Sequence, residues 1–263
     1  MDPTRRSLIG SALAAAGGAG LLGTSGEARG EPGARAAPAA PVNERTIVCF
    51  GDSNTWGYVP QLKPGTTRFA RYDHQTRWPR LLEGLLAPAV RVAEHGLCGL
   101  VGALPSGGGQ FEDGASRAAI DHVKGVVAAN WPISEWVVML GTNDFAYPSL
   151  ARPEPIGEGV AAVIRAGLAS HEWLGGPAPA VTLVSPIPLG PAVLTLGIDP
   201  EAVERSRGLS AALAAQARAQ GWGFLDAAGA GALDTVDGVH WSAGHHRRFA
   251  GMLARALRRE PTG

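Results

Sequence analysis

From Arg45 onward the chain alternates short apolar runs with longer stretches in which apolar residues recur at helical spacing. Residues 46–50, 90–93, 136–140, 180–184 and 223–225 form brief apolar runs, the pattern of strands covered on both faces. Between them the spacing predicts helices over 78–86, 115–129, 157–170 and 201–220. A last helix is expected over 243–258, with Ser242 as its N-cap. Leu209, Leu213 and Ala217 recur every fourth residue, as do Phe249, Leu253 and Leu257, so each of these helices has one apolar stripe to bury. Strand–helix alternation implies an α/β fold, a three-layer α/β/α sandwich around a central, mostly parallel five-stranded sheet. Right-handed crossovers then gather the strand C-terminal ends along one edge, where ligands bind in such sheets. The Gly-rich stretch 104–114 is expected to loop over that edge.

The residues before the first strand read differently. Thr4-Arg5-Arg6-Ser7 precedes an apolar, Ala/Gly/Leu-rich run over 8–22, too short for a comfortable membrane span. Together they predict a signal of the twin-arginine type, followed by an Ala/Pro-rich linker to 41 and one domain over 42–263. The expected destination is the periplasm or the exterior, with no stable membrane span in the mature chain.

Composition narrows the chemistry. Lys+Arg and Asp+Glu both number 23, and no basic block interleaves with aromatics, which argues against a nucleic-acid surface. The two cysteines, Cys49 and Cys98, lack metal-ligand spacing. They read as small buried side chains, with one disulfide between them left open. No metal or cofactor is expected, because His245 and His246 have no partners that complete a zinc set. Gly-x-Ser-x-Gly and the phosphate-loop string are absent from the sequence, and from Arg45 onward so is Gly-x-Gly-x-x-Gly.

Four short motifs fall just after strands or before the last helix. Gly51-Asp52-Ser53-Asn54-Thr55 follows strand one and offers Ser53, a hydroxyl that needs a base to act as nucleophile. His95-Gly96-Leu97-Cys98-Gly99 follows strand two, and its glycines let a backbone N–H approach a reacting carbonyl. Gly141-Thr142-Asn143-Asp144 follows strand three and offers an amide donor. Asp237-Gly238-Val239-His240 precedes the last helix; an aspartate three residues before a histidine can fold back and orient its ring. Each motif taken alone also reads as a simple turn.

Their joint order resembles the SGNH (GDSL-like) hydrolase family, from Phe50 to Trp241. The longer strings 47–60, 67–70, 77–79, 94–98 and 138–144 resemble its bacterial arylesterase/acyltransferase (perhydrolase) branch. The resemblance implies a flavodoxin-like SGNH fold and a serine esterase acting on short acyl esters, with transfer to alcohols as well as water. It implies Ser53 as nucleophile, His240 as base and Asp237 as its partner. The oxyanion hole would be the Ser53 N–H, the Gly99 N–H and the Asn143 side chain. Trp56, Trp78 and Phe145 flank the motifs and are candidates for an apolar pocket. The branch is often oligomeric, which leaves a homo-oligomer open. A carbohydrate acetylesterase is the alternative within the class, and a non-catalytic binding module the alternative outside it. Three departures stand out: Asn54 in place of the usual Leu, expected to tune packing; Glu94 in place of Asn, shared with the branch; and Leu100-Val101-Gly102 in place of a polar run, which bears on the pocket wall.

Overall fold

The computed structural model describes residues 45–61, 70–88, 90–109 and 114–258. The expected signal and linker over 1–41, residues 67–69 and part of the 104–114 loop lie outside the described residues.

Five strands form one parallel sheet in the order β2-β1-β3-β4-β5: β1 (Arg45–Gly51), β2 (Val90–Gly96), β3 (Glu135–Met139), β4 (Ala180–Ser185) and β5 (Gly223–Asp226). The helices are α1 (Ser53–Trp56), α2 (Trp78–Leu86), α3 (Ala119–Asn130), α4 (Pro153–Trp173), α5 (Pro200–Ser206), α6 (Leu209–Gln220) and α7 (Ala243–Arg258). The two-residue repeat of a strand sends neighbours to opposite faces, and both faces are buried here. Val48, Phe50, Trp136, Val138 and Leu183 pack with Val123 and Val127 of α3, Ile156, Val160 and Ile164 of α4, and Leu209 and Leu213 of α6. Ile47, Cys49, Val137, Met139 and Val184 pack on the other side with Trp78 and Leu82 of α2 and Phe249 and Leu253 of α7. This gives the three expected layers. β5 is the exception to two-sided burial: it lies at the sheet edge, and Phe224 is 36% exposed.

Local chemistry accounts for the shifted boundaries. α3 starts later than the pattern implied because residues 115–118 run beside Val101 instead. There the Val101 N–H donates to the Arg117 carbonyl (2.8 Å) and the Ala119 N–H to the Val101 carbonyl (3.0 Å). The single helix expected over 201–220 is two, α5 and α6, broken at Arg207-Gly208. At the break the Ser206 hydroxyl donates back to the Val203 carbonyl (2.7 Å) and accepts the Leu189 N–H (3.0 Å). A side chain that bonds its own turn in this way competes with helix continuation. Ser242 does cap α7, its Oγ accepting the His245 N–H at 3.4 Å. Cys49 and Cys98 are both free thiols. No helix of the described residues is long and apolar enough to cross a membrane.

Candidate active site

β1 ends at Gly51, and the chain turns directly into α1, of which Ser53 is the first residue. Asp52 caps this short helix, its Oδ1 accepting the Asn54 N–H at 2.9 Å, and Gly57 closes it with φ 91°. The neighbouring strand must let α1 approach: a Cβ at Gly96, the last residue of β2, would collide with the Trp56 backbone. The Asp237–His240 turn reaches the same edge from the far end of the sequence. Asp237 Oδ1 accepts the N–H groups of Val239 (3.1 Å) and His240 (3.0 Å), while Oδ2 lies 2.9 Å from His240 Nδ1. His240 Nε2 is 3.0 Å from Ser53 Oγ. Oδ2 also accepts the Gln61 N–H at 3.2 Å. Burial raises the Asp237 carboxyl, but the bonds from His240 and the two backbone N–H groups outweigh it and hold it at about 2. Asp237 is therefore anionic at neutral pH, and a carboxylate facing Nδ1 selects the tautomer whose Nε2 can accept a proton.

Asn143 begins the turn after β3. Its Nδ2 donates to the Leu100 carbonyl at 2.9 Å, which commits one amide hydrogen and leaves the second for another acceptor. Gly99 lies in the turn after β2 with φ +79°, a conformation that suits glycine. That turn is pinned to β1 by the Leu97 N–H donating to the Gly51 carbonyl (3.0 Å), and Arg117 Nε holds the Cys98 carbonyl at 2.8 Å. Asp144 accepts the N–H groups of Gly102 (3.0 Å) and Ala103 (2.7 Å), tying the turns after β2 and β3 together. Burial pushes the carboxyls of both Asp52 and Asp144 up to about 6.

A cavity of about 160 Å³ opens beside His240 and Asn143. Phe145, Leu189, Val193, Leu196, Ile198 and Val239 supply most of its apolar wall. Of the three aromatic candidates, Phe145 lines it. Trp78 does not: it is fully enclosed, with its ring edge-on to Phe249 at 5.1 Å and its Nε1 donating to the Asn54 carbonyl. Trp56 lies under Arg71, whose guanidinium sits 4.9 Å from the ring centroid, and it is not part of the cavity wall. Leu100 and Val101 are wholly buried, so the departure at 100–102 is filled by core and not by pocket wall. Glu94 accepts from two of the three Arg77 guanidinium nitrogens, Nε at 3.0 Å and Nη2 at 2.6 Å.

Sequence reasoning missed several residues that the fold brings here. Tyr58 stacks on the His240 ring, centroids 4.2 Å apart and planes 30° apart. The 189–198 wall comes from the connection after β4, which carries no motif. Asn54, read as a packing position, is instead hydrogen-bonded at both ends of its amide.

The comparisons bear on this arrangement. The family model for the GDSL-like lipase/acylhydrolase family matches residues 49–260. The chain belongs to that family. An aryl esterase from M. smegmatis has 28% sequence identity and a TM-score of 0.73, over 81% of this chain and 98% of that one. A carbohydrate acetylesterase from Sinorhizobium meliloti has 27% identity and a TM-score of 0.71, again over 81% and 98%. No curated protein matches the chain. As a GDSL-like acylhydrolase, the protein is a carboxylic ester hydrolase built on the five-stranded parallel sheet of SGNH hydrolases.

Proposed function

We propose that the protein is a serine esterase that cleaves short-chain aryl or alkyl esters through an acyl-enzyme on Ser53. What carries this reading is the chain of contacts from Asp237 Oδ2 to His240 Nδ1 (2.9 Å) and from His240 Nε2 to Ser53 Oγ (3.0 Å). His240 takes the hydroxyl proton as Ser53 Oγ attacks the ester carbonyl, and Asp237 stabilises the imidazolium that forms. The Asn143 amide, the Ser53 N–H and the Gly99 N–H stabilise the tetrahedral oxyanion; one such donor is worth about 3–4 kcal/mol in the transition state. His240 then returns its proton to the leaving alcohol. Water or a second alcohol, deprotonated by His240, attacks the acyl-Ser53, and His240 returns that proton to Ser53 Oγ as the acyl–oxygen bond breaks and acid or new ester leaves. No step draws on a metal or an organic cofactor.

The apolar cavity wall favours an ester with a small apolar group over a sugar, whose hydroxyls would need partners there. The second reading, deacetylation of a carbohydrate, is favoured by the similarity to the Sinorhizobium meliloti acetylesterase. Hydrolysis of p-nitrophenyl acetate by wild type and Ser53→Ala tests the first claim, and equal rates refute it. Adding a primary alcohol and measuring the ratio of ester to acid tests transfer; no new ester rules transfer out. Faster acetate release from acetylated xylan than from the aryl ester would favour the second reading.

A further inference from the structure

The structure assigns Asn54 as a positioning residue for His240, an assignment that rests on the triad reading above. Its side chain is 1% exposed and spans from α1 to the turn that carries the imidazole. Nδ2 donates to the Val239 carbonyl at 3.2 Å, and Oδ1 accepts the Trp241 N–H at 3.0 Å. The two bonds bracket position 240 on the main chain, one residue before and one after. The same residue follows Ser53 directly, so one side chain ties the nucleophile's helix to the base's backbone across 187 positions of sequence.

Asn54 is itself held firmly. Its N–H donates to Asp52 Oδ1 (2.9 Å), and its carbonyl accepts Trp78 Nε1 (3.1 Å). The match to its partners is specific in kind. A carbonyl can only accept and an N–H can only donate, so a neutral amide satisfies both. A carboxylate would satisfy the Trp241 N–H and repel the Val239 carbonyl; an aliphatic side chain would satisfy neither. The Asp237–His240 contact sets the ring's orientation, whereas Asn54 sets where the ring's backbone sits relative to Ser53. A shift of about 1 Å in such a placement costs up to about 100-fold in rate.

The test is the Asn54→Leu substitution made in the wild type and again in His240→Ala, with kcat and KM read on p-nitrophenyl acetate and folded fraction by thermal melting. If Asn54 acts through the imidazole, kcat falls by about 10-fold or more in the wild type with KM little changed. In His240→Ala the substitution then has no further effect, because there is no ring left to place. The same fractional loss in both backgrounds, or no loss in the wild type, overturns the assignment. Asn54→Asp, of equal size, keeps the acceptor and loses the donor; it is expected to fall between wild type and Asn54→Leu. If neither variant folds, the amide holds the fold and not the ring, and the assignment fails. A wild-type rate in His240→Ala alone would overturn the triad itself and this assignment with it.

Discussion

Ser53, Asp237 and His240 could each be a turn or capping residue, and what separates the readings is where the polar atoms point. Asp237 spends one oxygen on the Val239 and His240 N–H groups and the other on the His240 ring and the Gln61 N–H, so it shapes the turn and orients the imidazole at once. The contact with the ring was legible in the Asp-x-x-His spacing; the backbone bonds were not. Nor were the contacts that Asn54 and Tyr58 make with the 239–241 turn: neither residue has a signature until its partner, nearly two hundred positions away, is in place. His246 is a residue of another kind. It is wholly buried beside Trp241 and Tyr72 and against the Trp78 N–H. Burial, then the nearby His245 and Arg77, lower its pKa to about 3. The unfolded chain binds that proton near pH 6.5, the folded one only near 3, so stability is lost as pH falls through this window. Replacing it with Phe should remove about 2 kcal/mol of the decline in urea stability between pH 7 and pH 5. An unchanged difference between the two pH values would contradict this.

At the scale of elements, the site depends on turns after strands and on how they are tied. Asp144 joins the turn after β3 to the one after β2 by accepting the Gly102 and Ala103 N–H groups. Asp144→Asn keeps the shape but sets an amide NH₂ against one of those donors. Stability should fall by about 1–3 kcal/mol, and kcat should fall with it as the Gly99 turn loosens; an unchanged melting temperature would refute the tie. The 3₁₀ segment Pro191–Leu196 forms a wall of the cavity. Leu196→Trp should therefore lower kcat/KM for p-nitrophenyl butyrate about 10-fold more than for the acetate, and equal losses would move the acyl or alcohol group elsewhere. This wall was illegible in the sequence because apolar residues after a strand look the same whether they line a cavity or fill the core. Trp78 shows the converse: it neighbours a motif and yet packs against α7. The break between α5 and α6 was equally hidden, since the Ser206 hydroxyl that bonds back to Val203 is held there by the distant Leu189 N–H.

For the whole molecule, the apolar runs sufficed to place five strands, and their alternation with helices sufficed for a parallel sheet. Both followed from one requirement, that a strand covered on two faces be apolar throughout. Strand order needed the fold, as did the exposed edge at β5. The sheet then explains how motifs from positions 51, 96, 141 and 237 meet: parallel strands deliver their ends to one rim. We propose export at this scale too, from the Arg5-Arg6 pair ahead of an apolar run. Lysines at both positions should leave the protein inside the cell; undiminished export would argue for another route. The central claim is that His240 activates the oxygen of Ser53. The most direct measurement is covalent labelling with diethyl p-nitrophenyl phosphate, following p-nitrophenolate release and locating the adduct by mass spectrometry. One equivalent released, an adduct on Ser53 and a rate lower by about 1,000-fold or more in His240→Ala are predicted. An adduct on another residue, or wild-type labelling without the imidazole, would contradict the account.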